Sequence, residues 1–226
     1  MKGLSFLVVN IRMVLLFSVA FVLAACGGSS DTETESYVKF YNASPDSPSI
    51  FMTLDENLED DETDEYENTF AAVAFGSALS RNSIDKGDYF IELAWQDEDS
   101  SARTDLEIVY EDQVQIVADA THWVVLSGSI LDPVVNMYSI PLIDEDDQQN
   151  DIDNDLLNIR LVNLNTSYPQ IDVYLSKDDE TFNEATFVTS LSSMNLTENY
   201  KISEDQYKLY FTEPGSDSLI FTSEDL

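Results

Sequence analysis

A single cysteine, Cys26, leaves the chain without an intrachain disulfide, so its folded part must be held by its core with no covalent cross-link. A single histidine, His122, excludes the paired imidazoles of a two-histidine metal motif. One histidine is enough for a Ser-His-Asp site, but no G-x-S-x-G elbow occurs, and His122 stands in "ATHWVVLSG", where Trp123, Val124 and Val125 place it at the entrance of a strand. Basic residues are equally scarce: 10 Lys plus Arg face 44 Asp plus Glu, a formal charge of −34. That surface repels nucleic acid and anionic lipid headgroups, and excludes both as partners. Among 44 acids no carboxylate pair is singled out for glycoside hydrolysis. The chain is therefore read as a non-enzyme, with no catalytic residue, no metal site and no cofactor, against the competing class of an envelope hydrolase or carbohydrate-processing accessory built around His122.

The N-terminus does carry a long hydrophobic run. After Lys2 and Arg12 comes "MVLLFSVAFVLAA", an apolar stretch of 13 residues, too short to span a bilayer comfortably and matched to a signal-peptide core. Leu23, Ala24 and Ala25 before Cys26 resemble a bacterial lipobox, which implies cleavage after residue 25 and lipidation of Cys26. One acyl chain gives an association constant of about 10⁴ M⁻¹, so the two or three chains of a mature lipoprotein make attachment to the membrane lasting. Gly27, by resemblance to the sorting of Gram-negative lipoproteins, implies the outer membrane, with the protein facing the periplasm or the cell surface. Loss of residues 1–25 removes Lys2 and Arg12 and no acid, leaving 8 basic residues against 44 acids, a charge of −36.

Residues 26–36, with "GGSSDTETES", bury nothing and are read as a flexible tether. Strand signals begin beyond it. "VKFYN" alternates, and in "DYFIELAW" Tyr89, Ile91, Leu93 and Trp95 share one face. Further strand-like runs are Ile50 to Leu54, Phe70 to Phe75, Leu106 to Tyr110, Val114 to Val117, Trp123 to Ser127 and Val134 to Ile140, with no amphipathic helix between them. Short strands at turn spacings of about 8 to 12 residues predict an all-β fold, an antiparallel sandwich or barrel, over residues 37–143. Residues 55–68, rich in acids, are expected to project as a loop, and residues 144–156 to form an acidic linker.

The stretch "YVKFYNASPDSPSIFMTL" from Tyr37 returns 121 positions later as "NIRLVNLNTSYPQIDVYL" from Asn158. Asn42 faces Asn163, Pro48 faces Pro169 and Ile50 faces Ile171. A second block, Ile84, Tyr89, Ile91 and Leu93, is answered by Ile202, Tyr207, Leu209 and Phe211 at an offset of 118. Two gap-free blocks with three positions of slippage predict a tandem repeat, the second copy occupying residues 157–226. That copy has no counterpart of Trp123, Val125, Leu126 and Val134, so two or three closing strands are expected to be missing. The expectation is a sequence that is part of a longer protein, or a half-sandwich completed by another chain lending strands to its edge.

Asn42, Ala43, Ser44, Pro45, Asp46 and Pro48 resemble the opening V-R-V-V-N-A-S-P-D-A-P-x-V-D-V-Y-V of a bacterial family catalogued as domain of unknown function forty-three ninety-seven. "FGSALSRNSIDKGDY", Phe75 to Tyr89, is similar to its G-T-x-S-x-Y-x-x-V-x-A-G-x-Y motif, and the second copy keeps Asn163, Pro169 and "IDVYL". The resemblance implies tandem immunoglobulin-like sandwiches, often on lipoproteins, and no activity. Physically the motif reads as a turn: Pro45 pushes Ser44 toward an extended conformation, and Asn42 or Asp46 bonds nearby backbone. In "NDIDND" the alternating Asp151, Asp153 and Asp155 are candidate calcium donors, although the turn glycine and final glutamate of an EF-hand are absent. The reading is a lipid-anchored envelope protein with a structural or interaction role toward a protein or glycan partner. Calcium-stiffened spacing is the other alternative.

Overall fold

The computed structural model describes residues 35–56, 68–96 and 106–224. The leader, Cys26, the tether up to residue 34 and residues 57–67 of the expected acidic loop lie outside the described residues.

Alternation dictates the first strand. In β1 (Ser36–Asn42) Ser36, Val38, Phe40 and Asn42 are buried, while Tyr37, Lys39 and Tyr41 face outward. The first half continues with β2 (Phe51–Asp55), β3 (Asn68–Thr69), β4 (Asn82–Ser83), β5 (Gly87–Gln96), β6 (Leu106–Ile116), β7 (Ala120–Ser129) and β8 (Asp132–Pro141). These make two four-stranded sheets, β4-β1-β7-β8 and β3-β2-β5-β6. The β1–β7 pair is parallel, from Ser36 beside Ala120 to Asn42 beside Leu126, and the other pairs are antiparallel. Val38, Phe40, Val124 and Leu126 of one sheet meet Met52, Leu54, Ile91 and Leu93 of the other in one core. Each such side chain contributes about 1.5–3 kcal/mol when fully buried. The architecture is all-β and sandwich-like, as the alternation predicted.

Three segments of the first half depart from the sequence-based expectation. The face of β5 holds through Tyr89, Ile91 and Leu93, but the pairing with β6 shifts between Leu93 and Ala94, and Ala94 is buried while Trp95 is only partly so. The runs at Leu106 and Val114 are one continuous strand of 11 residues, because Glu111 and Asp112 continue the ladder on an exposed edge. Phe70 to Phe75 is no strand: Val73 alone bridges to Ile50, and Ala71, Ala72 and Phe75 are exposed.

The residues read as a linker contain a helix, α1 (Glu145–Asp153). Apolar periodicity does not make it. The Asp144 side chain caps it by accepting from the Asp146 amide at 2.9 Å, and Glu145, Asp146 and Asp147 occupy the first turn, where carboxylates complement the helix dipole. The second half follows: β9 (Leu156–Ile159), β10 (Gln170–Lys177), β11 (Thr186–Ser192), β12 (Tyr200–Ser203), β13 (Tyr207–Thr212) and β14 (Leu219–Thr222). Its sheets are β11-β10-β13-β14 and the two-stranded β12-β9. Ile171, Val173, Leu191 and Leu209 form a second, smaller core.

Candidate functional site

The turn after β1 is built by its own side chains. Asn42, fully buried, donates from Nδ2 to the Val73 carbonyl at 3.0 Å and accepts at Oδ1 from the Ser44 amide at 3.1 Å, tying strand, turn and the segment beyond β3. Asp46 reaches the β7–β8 hairpin: Oδ2 accepts from the Ser129 hydroxyl at 2.7 Å and Oδ1 from the Ile130 amide at 2.9 Å. The Ser129 bond, then the Ile130 amide, holds the Asp46 carboxyl below its usual range.

The turn around Asn163 shares several of these bonds. Asn163 donates from Nδ2 to the carbonyls of Tyr168 at 3.0 Å and Leu191 at 3.4 Å, and accepts at Oδ1 from the Asn165 amide at 3.0 Å. The Asn42 carbonyl accepts from Gly76 and the Asn163 carbonyl from Met194, at 2.8 and 2.7 Å. Asp46 has no such counterpart, since Ser167 stands at that position.

The two turns meet. Ala43, Pro45, Gly128 and Ser129 face Leu164 to Ser167 across an open surface cleft of about 390 Å³. Beside it the outer face of β7 and β8 carries the second half: Tyr138 Oη donates to the Met194 carbonyl at 2.9 Å, and the Ser127 hydroxyl lies 3.8 Å from Met194 Sδ. Burial raises the Tyr138 phenol above its ordinary pKa. The cleft offers turn backbone, small hydroxyls and a proline ring, which suits binding by shape and hydrogen bonds. A second, open depression of about 450 Å³ lies between Glu56, Asp88, Tyr89 and Gln113 to Gln115.

His122 lines neither cleft. It is wholly buried on the inner side of β7, with Nε2 3.1 Å from both N and O of Val117 and Nδ1 3.0 Å from the Ser139 hydroxyl. The ring bonds to backbone where a catalytic triad would set a carboxylate. The acids of the former linker are also engaged. Asp151 Oδ1 accepts from Lys201 Nζ at 2.7 Å and Oδ2 from Asn158 at 2.8 Å, with its pKa lowered by the Asn158 and Lys201 bonds. Asp153 accepts from Gln149 at 2.8 Å. Among the described residues no three His, Cys, Asp or Glu gather to hold a metal ion, and no helix is long and apolar enough to cross a membrane.

Asn42 and Asp46 were legible as turn-bonding residues. Gly128, Ser129, Tyr138 and Met194 were not, and the glycine after "VVLS" is the one signal among them. No curated protein matches the chain. A family model described as domain of unknown function (DUF4397) matches residues 36–174, more than half of the sequence, and the chain belongs to that family.

Proposed function

We propose that the chain is a non-enzymatic interaction module of the cell envelope, anchored in the outer membrane through a lipid on Cys26 and displaying two immunoglobulin-like domains to a protein or glycan partner. The meeting of the two motif turns at one cleft carries this reading: a repeat whose paired loops converge builds a recognition surface that neither copy has alone. The recurrence of the Asn42 bonds at Asn163 supports tandem copies. The immunoglobulin-like reading is supported by Tyr89 and Tyr207, whose hydroxyls each donate to the carbonyl four residues upstream, Asp85 and Ser203, at 3.0 Å, in the manner of a tyrosine corner. The engagement of both His122 nitrogens within the fold favours a structural histidine.

The acidic surface is repelled by anionic headgroups, which supports a covalent anchor as the route to the membrane. The test is the intact mass of the protein purified from its own membranes. A polypeptide starting at residue 26 and carrying three acyl chains is expected. Retained residues 1–25 or an unmodified Cys26 would contradict the anchored reading.

A further inference from the structure

The two halves differ on one side. In the first, β7 lies parallel to β1 and β8 beyond it, so the inner residues Val38 and Phe40 are fully buried. Their counterparts on and after β9, at the offset of 121, are Ile159 and Leu161, which are only partly buried, and Leu157, at the position of Ser36, is 42 % exposed. Among the described residues β9 pairs with β12 alone, and no strand lies on its other edge. The facing sheet is uncovered as well. Phe221 pairs with Phe211 as Tyr110 pairs with Leu93, yet Phe221 is 60 % exposed while Tyr110 packs against a core that Val135 and Met137 of β8 join.

We propose that this open side is a docking site for a β-hairpin donated by a partner polypeptide. Its first strand lies parallel to β9, with apolar side chains at alternate positions facing Leu157, Ile159 and Leu161, and its second covers Phe221. The apolar floor and the free strand edge together select the occupant. A small apolar ligand would fill the floor and leave the β9 backbone unpaired, whereas an extended chain satisfies both. A second copy fits poorly, because a two-fold pairing of β9 edges would be antiparallel where the first half shows a parallel neighbour, and each copy brings a charge near −34 against the other. For the same reason the partner is neutral or basic.

The probe is a synthetic peptide with the sequence of residues 120–141, the hairpin that fills the equivalent place in the first half, added to the full chain in detergent. Amide hydrogen exchange is read at residues 157–161 and 219–222. Saturating peptide is expected to slow exchange there at least tenfold, and a peptide with Val124→Asp and Leu126→Asp to leave it unchanged. No slowing by the parent peptide, or equal slowing by both, overturns the proposal. So does slowing only when the hairpin is fused after Leu226, which makes the occupant part of the same chain. Protection without peptide that rises with protein concentration assigns the face to a second copy and overturns it too.

Discussion

The Nδ2 of Asn42 donates to the Val73 carbonyl at 3.0 Å in the first half, as Asn163 donates to Leu191 at 3.4 Å in the second. A buried amide thus closes a turn in each half, and removing either strands several polar groups at once. Asn42→Ala leaves the Ser44 amide and the Val73 carbonyl without their side-chain partner and is expected to cost about 2–4 kcal/mol in denaturant unfolding. Asn163→Ala, with a longer bond, is expected to cost about 1–3 kcal/mol. Equal stability of wild type and Asn42→Ala would remove the amide from this role.

Asp46 predicts the acid limb of the first half. Its folded pKa is lowered by the Ser129 and Ile130 bonds, so its contribution is present above the unfolded carboxylate value near about 4 and is lost as pH falls through the depressed folded value. Asp46→Asn is expected to flatten the pH dependence below about pH 4 and to raise hydrogen exchange at Ile130. Wild-type slope in the variant would show that the carboxylate does not hold the hairpin. Asp151, lowered in the same direction by Asn158 and Lys201, gives the second half a limb in the same window, which Lys201→Met is expected to reduce while the Asn158 bond keeps part of it.

Two glycines separate backbone strain from crowding. Gly76 and Gly128 have φ of +75° and +77°, but a Cβ at Gly76 meets nothing within 4 Å while one at Gly128 lies 2.9 Å from the Asp132 carbonyl oxygen. Gly76→Ala is expected to cost about 1–2 kcal/mol from its left-handed conformation alone. Gly128→Ala should cost at least about 1 kcal/mol more, measured as the difference in unfolding free energy, because backbone must move.

What the sequence revealed tracks how each element is made. β1 and most of β5 bury alternate residues, so period-two patterning exposed Val38 and Ile91 as core. α1 was invisible because its helix rests on a capping Asp144 and a carboxylate-rich first turn, with Asp151 fastened to Lys201 fifty positions away. The break at Phe70 to Phe75 was misread as a strand since an apolar run says nothing about whether a neighbour is there to pair. The motif turns were recognisable as hydrogen-bonding punctuation. Their convergence was not, since it depends on Met194 docking against Tyr138, a relation with no local pattern.

That docking is itself testable. Tyr138→Phe removes only the hydroxyl that donates to the Met194 carbonyl and is expected to weaken coupling between the halves by about 1 kcal/mol, read as faster exchange around residues 193–196 with β1 and β7 unchanged.

The proposed tandem arrangement rests on two cores, a closed one around Phe40 and a smaller, open one around Val173. Scanning calorimetry of wild type, Phe40→Ala and Val173→Ala tests it most directly. Two transitions are expected, the upper lowered by Phe40→Ala and the lower by Val173→Ala. A single transition displaced equally by both substitutions would contradict it, because the two cores would then be one cooperative unit.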